Sequence, residues 1–217
     1  YRTIATEAYL SSVELAEEKG SFPMFDAEKF LQSGFMQAMP EEVREAVRAK
    51  GIRNATLLTQ APTGTTGTMV GTSTGIEPYY QWAYWRMGRL GRREVREAIV
   101  DEWLAAHPEV DSVENLPDFF VTALDLDPAD HVRVQAAIQR WVDSSISKTT
   151  NCPADWTVEQ VEELYRLARE LGCKGVTIYR DKSRDEQVLQ RKEEDEQARK
   201  DAAATSQVAQ TNGNDGL

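Results

Sequence analysis

The stretch TLLTQAPTGTTGTMVGTSTGIEPYY, Thr56 to Tyr80, holds the residues of this chain best suited to chemistry. Between Arg53 and Glu77 no residue is charged, although 28% of the chain is. A short β-leaning run reaches Pro62, and Gly and Thr dominate the next dozen or so positions. Glycines let an anion approach the backbone, and backbone N–H groups ahead of a helix start suit a phosphate. Thr63, Thr65 and Thr66 add hydroxyl donors, while Gly64 and Gly67 remove obstructing side chains. The loop lacks the Gly-Lys-Ser/Thr ending of a Walker A sequence. The residues alone leave two readings open: a phosphate cradle, or a tight turn buried in a core. Glu77 closes this neutral stretch, and a carboxylate there needs a partner. A salt bridge or backbone N–H contacts that hold the loop in shape are expected of it, rather than proton transfer.

The surrounding elements must position that loop. Residues 3–19 read as an amphipathic helix with Ala8, Leu10, Val13, Leu15 and Ala16 on its apolar side, stopped by Gly20. Asp26 caps a short helix expected through Phe35, and Pro40-Glu41-Glu42 opens another that ends near Gly51. NATLLTQ predicts a strand before the loop. After the loop, YYQWAYWRMGR predicts a core-facing strand that turns at Gly88 to Gly91, with a helix from about Arg93. Asp127-Pro128 is an N-cap with Pro at the first helical position, and Val134, Ile138, Trp141 and Val142 form a predicted apolar stripe. SSISKTTN predicts a strand ended by Pro153. Thr157 and Gln160 have capping-box spacing, a helical pattern runs to Leu171, and GVTIY is a second strand. Helix, strand, helix, strand at this spacing predicts a parallel α/β layer.

Composition narrows the function classes. A chain of 217 residues with 41% apolar content can bury a core. Its net charge of −11 argues against a nucleic-acid groove, which needs clustered Lys and Arg. No run approaches the roughly 18 apolar residues of a membrane span. Two cysteines, Cys152 and Cys173, make neither a disulfide framework nor a zinc site, which points to a reducing, cytoplasmic setting. The first residue is Tyr1 and a helix is already under way by Thr6, so the chain is expected to start inside a longer protein. From Asp185 the apolar pattern gives way to charged and then polar sequence, expected as a disordered tail over 185–217. The acidic run Glu193 to Glu196 reads as a solvated face. His131 is expected to make a structural hydrogen bond and His107 to lie in a surface turn.

Four segments together resemble one family. RNATLLTQAPTGTTG with GTSTGIEP is similar to the phosphate-binding region near the C-terminal end of the ribonucleotide reductase large subunit. ALDLDPADHVRVQAAIQRWVDSSISKTTNCP resembles the helix and Lys-Thr-x-Asn-x-Pro strand of the adenosylcobalamin-dependent class, here Lys148, Thr149, Asn151 and Pro153. VEELYRLARELGCKGVTIYRDKSRDEQVL resembles that class's next helix, Gly-Cys-Lys-Gly turn and strand end. Tyr179 follows Ile178 and has no tyrosine neighbour to relay a radical, which again fits the cobalamin class. The resemblance covers roughly residues 1–190.

That resemblance implies an α/β fold: the C-terminal part of a ten-stranded α/β barrel over residues 1–184, helix-rich with a few short strands. It implies that Pro62, Thr63, Gly64, Thr65 and Thr66 hold the substrate's phosphates, and it weakens at Gly67, where members often carry Ser. The family's thiyl-radical cysteine and its reducing cysteine pair lie upstream of the matched segments. Cys152 and Cys173 fall at scaffold positions, so no catalytic residue and no metal ligand is expected here. The partners implied are a ribonucleotide, adenosylcobalamin bound mainly elsewhere, and a dithiol reductant such as thioredoxin. The barrel part carrying the radical cysteine is also implied, in the same polypeptide or as a separate chain. This segment alone is expected to be inactive. Two rivals remain from the residues: a non-catalytic split subunit that completes a barrel, and a stand-alone nucleotide-binding module.

Overall fold

Side-chain caps start four of the eight α-helices described in the computed structural model, which covers residues 1–88, 91–183 and 189–191. The chain runs α1 (Arg2–Lys19), α2 (Ala27–Leu31), α3 (Gly34–Ala38), α4 (Glu41–Lys50) and α5 (Gly64–Val70). It continues through β1 (Ala83–Gly88), β2 (Gly91–Arg96), α6 (Ala98–Ala106) and a single 3-10 turn (Val113–Asn115). Last come α7 (Pro128–Gln139), β3 (Thr149–Cys152), α8 (Val158–Glu170), β4 (Thr177–Arg180) and β5 (Leu189–Arg191). These divide into two units. The first joins Tyr1–Pro78 to Leu124–Asp181, and the second joins Tyr79–Ala123 to the described part of Lys182–Leu217.

In the first unit, α1 and α4 pack around Ala5, Tyr9, Val13, Val43, Val47 and Ile52. Each of the larger side chains removed from water there contributes about 1.5–3 kcal/mol. Asp26 accepts the Lys29 N–H at 3.1 Å, as its capping role requires. The helix it starts ends at Leu31, short of the expected Phe35, because Ser33 accepts the Met36 N–H (3.3 Å) and begins α3. Leu15 is exposed, and the buried face of α1 is Ala5, Tyr9, Ser12, Val13 and Ala16.

A second cluster holds Val132, Cys152, Leu164 and Ala168 between α7, α8 and the sheet. Asp127 accepts the Ala129 N–H at 2.7 Å and Pro128 sits in the first turn. Thr157 and Gln160 close both halves of a capping box. α8 crosses between β3 and β4, which pair in parallel with Thr149 opposite Thr177 and Cys152 opposite Arg180. The expected parallel layer is therefore present as two strands. The expected α7 stripe differs, because Val134 is 49% exposed while His131, Val132, Gln135 and Gln139 face inward. Polar partners explain the choice: Gln135 Nε2 donates to the Gly175 carbonyl, and Gln139 Nε2 donates to the Val142 and Ser144 carbonyls.

In the second unit, β1 and β2 form an antiparallel pair with Ala83 opposite Arg96 and Gly88 opposite Gly91. That pairing keeps the chain extended through Arg96, so α6 begins at Ala98 and not near Arg93. Tyr79, Trp82, Trp103, Phe119 and Phe120 make successive ring contacts, and Trp82 Nε1 donates to the Phe120 carbonyl at 3.1 Å. His107 stacks on Trp103 with ring centroids 3.9 Å apart, so it is packed against a ring and not a bare turn residue. Within the stretch expected as a disordered tail, Leu189–Arg191 forms β5 against β1. The rest of that stretch, including the acidic run, lies outside the described residues.

Candidate functional site

The loop is suspended from an extended run that has no strand neighbours beyond one bridge. Asp143 is buried and accepts the Leu57 N–H at 2.7 Å and the Leu58 N–H at 2.9 Å. Ser144 N–H then donates to the Leu58 carbonyl (3.0 Å), Gln60 N–H to the Ser145 carbonyl (3.3 Å) and Ser147 N–H to the Gln60 carbonyl (2.8 Å). The expected NATLLTQ strand thus reduces to a parallel bridge between Gln60 and Ile146.

Beyond Gln60 the chain turns sharply. Thr63 adopts left-handed backbone angles (φ 51°, ψ 30°), which costs a non-glycine residue about 1–2 kcal/mol. Its hydroxyl oxygen accepts the Gly75 N–H at 2.9 Å, tying the two limbs of the loop together. Its carbonyl accepts the Gly67 N–H at 2.8 Å and opens α5. The N–H groups of Gly64, Thr65 and Thr66 precede Gly67, the first donor with an intrahelical acceptor, so helix geometry leaves them directed out of the helix start.

Pro62, Thr63, Gly64, Thr65 and Thr66 are all exposed, and Gly67 behind them is buried. Among the described residues nothing packs over those five positions. Its glycines serve different ends. A Cβ at Gly67 would lie 2.9 Å from Thr74 Cγ2, and one at Gly75, where φ is +57°, would lie 3.0 Å from the Pro62 carbonyl oxygen. Those two glycines allow the limbs to close on one another. Gly64 faces open space, with no atom within 4 Å of a built Cβ.

Glu77 leaves the loop and its Oε1 accepts the Thr149 N–H at 2.6 Å. The neighbouring Lys148 is 1% exposed, and its Nζ lies 2.7 Å from His131 Nδ1 and 2.9 Å from the Thr149 carbonyl. Burial pulls the Lys148 ammonium down to about 8, with the Glu77 charge acting against that shift. By residue type Lys148 is only one position of a motif. A signal for its burial does exist in the sequence: Ile146, Lys148 and Thr150 alternate inward along one extended run, and all three are buried.

The other candidates stay apart from the loop. Cys152 is fully buried, and burial pushes its thiol up to about 11, so it stays protonated near neutrality. Burial also raises Cys173, which packs on the same cluster. His107 Nδ1 lies 2.9 Å from the Trp103 carbonyl, and His131 Nδ1 lies 2.7 Å from Lys148 Nζ. Among the described residues no cluster of three His, Cys, Asp or Glu side chains could hold a metal ion, and no helix is long and apolar enough to cross a membrane.

Comparison with known proteins places this geometry in a family. The model of the ribonucleotide reductase barrel domain matches residues 1–179. The vitamin B12-dependent ribonucleoside-diphosphate reductase of Thermoplasma acidophilum is 35% identical over 204 residues, covering 86% of this chain and 25% of the relative. The enzyme of the same description from Mycobacterium tuberculosis is 36% identical over 208 residues, covering 87% of this chain and 27% of the relative. A vitamin B12-dependent ribonucleotide reductase from Rhodopirellula baltica is 31% identical, over 93% of this chain and 24% of its own length. The chain spans about a quarter of the length of these curated relatives.

Proposed function

The chain belongs to the ribonucleotide reductase barrel-domain family, and we propose that it is the C-terminal barrel portion of a cobalamin-dependent ribonucleotide reductase whose 62–66 loop holds the substrate's phosphates. In this reading residues 1–184 complete a ten-stranded α/β barrel. The N–H groups of Gly64, Thr65 and Thr66 donate to phosphate oxygens at the start of α5. The hydroxyls of Thr65 and Thr66 add two donors. Thr63 spends its hydroxyl oxygen on Gly75 and keeps its hydrogen for the ligand. Pro62 has no N–H of its own and fixes the approach to the turn.

The observation that carries this reading is the exposed rim of N–H donors at 64–66, braced by the Thr63–Gly75 and Glu77–Thr149 hydrogen bonds. Its lack of charge suits a ligand that brings its own. Adenosylcobalamin is assigned mainly to parts of the enzyme outside this chain, as the family resemblance implies. Cys152 packs in the Val132, Leu164 and Ala168 cluster at a scaffold position, so the reacting cysteines are placed in the remaining barrel part, in the same polypeptide or a partner chain. The reductant is a dithiol such as thioredoxin, the setting is cytoplasmic, and no nucleic acid takes part.

The test is nucleotide binding by the full-length reductase. Gly64→Val places a branched side chain in the open space where the anion approaches. It should weaken binding of a ribonucleoside diphosphate by about 1–3 kcal/mol, the cost of unmade charge-assisted hydrogen bonds. Unchanged affinity in the folded variant would sink the phosphate reading.

A further inference from the structure

The loop's two ends are anchored on three consecutive residues. Ser147 N–H holds Gln60 at the loop's start (2.8 Å), and Thr149 N–H holds Glu77 at its end (2.6 Å). Between them lies Lys148, whose buried Nζ donates to the Thr149 carbonyl at 2.9 Å. Thr149 is thus gripped from both sides of its backbone, the N–H by a carboxylate and the carbonyl by an ammonium. We propose that Lys148 is a positioning residue for the phosphate loop, fixing Thr149 and Glu77 so that the 62–66 rim stays in its binding shape. This rests on the reading of the loop as a phosphate site.

The surroundings of Lys148 say why a lysine matters there. An ammonium in the place of an apolar side chain gives up hydration that two neutral acceptors only partly replace. The charged and titratable groups that face it are His131 from α7 and Glu77 from the loop end. β4 sets the uncharged Thr177 and Ile178 opposite Thr149 and Thr150. The lysine donates its proton toward His131 Nδ1, which requires that nitrogen to be the imidazole's acceptor and Nε2 to carry the hydrogen. Lys148 is too buried to touch a ligand, so its effect on binding must pass through Thr149 and Glu77. Lys148→Met sheds the cost of burying an ammonium but leaves the His131 Nδ1 and Thr149 carbonyl acceptors behind, two terms of opposite sign that should largely offset. Loss of function without loss of fold is then the mark of a positioning role.

The experiment uses the full-length reductase with CDP as the probe, comparing wild type, Lys148→Met, Glu77→Gln and Gly64→Val. Lys148→Met should raise the CDP dissociation constant about tenfold while turnover at saturating nucleotide changes little and thermal stability does not fall. Glu77→Gln keeps an acceptor for Thr149 but loses the charge, so it should weaken CDP less, and the two changes together should be less than additive. In the wild type, CDP affinity should fall several-fold as pH rises through about 8, and Lys148→Met should flatten that dependence. If Lys148→Met binds CDP like the wild type while Gly64→Val does not, the positioning role is overturned and the loop reading stands. If Gly64→Val also leaves CDP binding unchanged, the loop reading falls and takes this proposal with it. Should Lys148→Met fail to fold, Glu77→Ala takes its place, and wild-type CDP affinity in that folded variant overturns the role, since the effect must pass through Glu77 and Thr149.

Discussion

The Tyr9 hydroxyl donates to Asp143 Oδ2 at 2.7 Å, joining α1 to a residue 134 positions away. The same oxygen accepts the Leu57 N–H, and Oδ1 accepts the Leu58 N–H. One carboxylate therefore ties the N-terminal helix, the run into the loop and the segment that anchors both loop ends. Burial first, and then the neighbouring carboxylate, push the Tyr9 phenol well above its ordinary range, so it remains a donor at any physiological pH.

Asp143→Ala leaves three buried donors without an acceptor. It should cost about 3–5 kcal/mol, and Tyr9→Phe about 1–3 kcal/mol, since that change removes a single hydrogen bond to a charged group. Thermal unfolding of the two variants checks the order. Equal losses would show that Asp143 does not depend on all three donors.

The glycines of the loop should separate by position. Gly64→Ala faces open space and should leave stability within about 0.5 kcal/mol of wild type. Gly75→Ala meets the Pro62 carbonyl and an unfavourable positive φ, and should cost about 1–3 kcal/mol. Limited proteolysis within 61–76 reads the difference directly, with faster cleavage expected only in Gly75→Ala.

Lys148 should cost stability. Its folded value, about 8, lies below its ordinary 10.5, so the unfolded chain holds the proton more tightly between them. Stability from this group is fully present above about 10.5 and is lost as pH falls through about 8. Relative to the wild type, Lys148→Met should therefore stand about 1–3 kcal/mol better near neutrality than near pH 10, any gain shrinking as pH rises from about 8. Melting temperatures of both proteins across that window provide the check. A gain that grows with pH would mean the lysine is not buried as a charge.

Cys152 should be slow to alkylate. Its thiol is buried and raised to about 11, so iodoacetamide labelling of the native chain near neutrality should lag far behind labelling in denaturant. Rapid native labelling would return this cysteine to the reactive groups.

Much of the helical framework was legible because capping is local. Asp26, Asp127 with Pro128, and Thr157 with Gln160 need only backbone donors within a few residues, and each starts a helix where its spacing predicts. The parallel pairing of β3 and β4 came from the same local order of strand, helix and strand. The backbone contact expected of Glu77 was likewise readable from residue type, whereas the residues of 62–66 left a phosphate cradle and a buried turn both open.

Features that turned on distant partners were not readable. α5 forms in a Gly- and Thr-rich run of low helix propensity, because Thr63 is held left-handed by Gly75 and Gly67 lies against Thr74. The buried face of α7 carries His131, Gln135 and Gln139 while Val134 is exposed, since Lys148, Gly175, Val142 and Ser144 supply the polar partners from elsewhere in the chain. The β1–β2 register postponed α6 to Ala98. Periodicity counts apolar residues along one element, whereas a buried polar group is stable only where another element brings the matching donor or acceptor. Residue types narrowed this loop to an anion cradle or a tight turn; pairing its two ends with 143–149 decided how it is held and gave Lys148 its place.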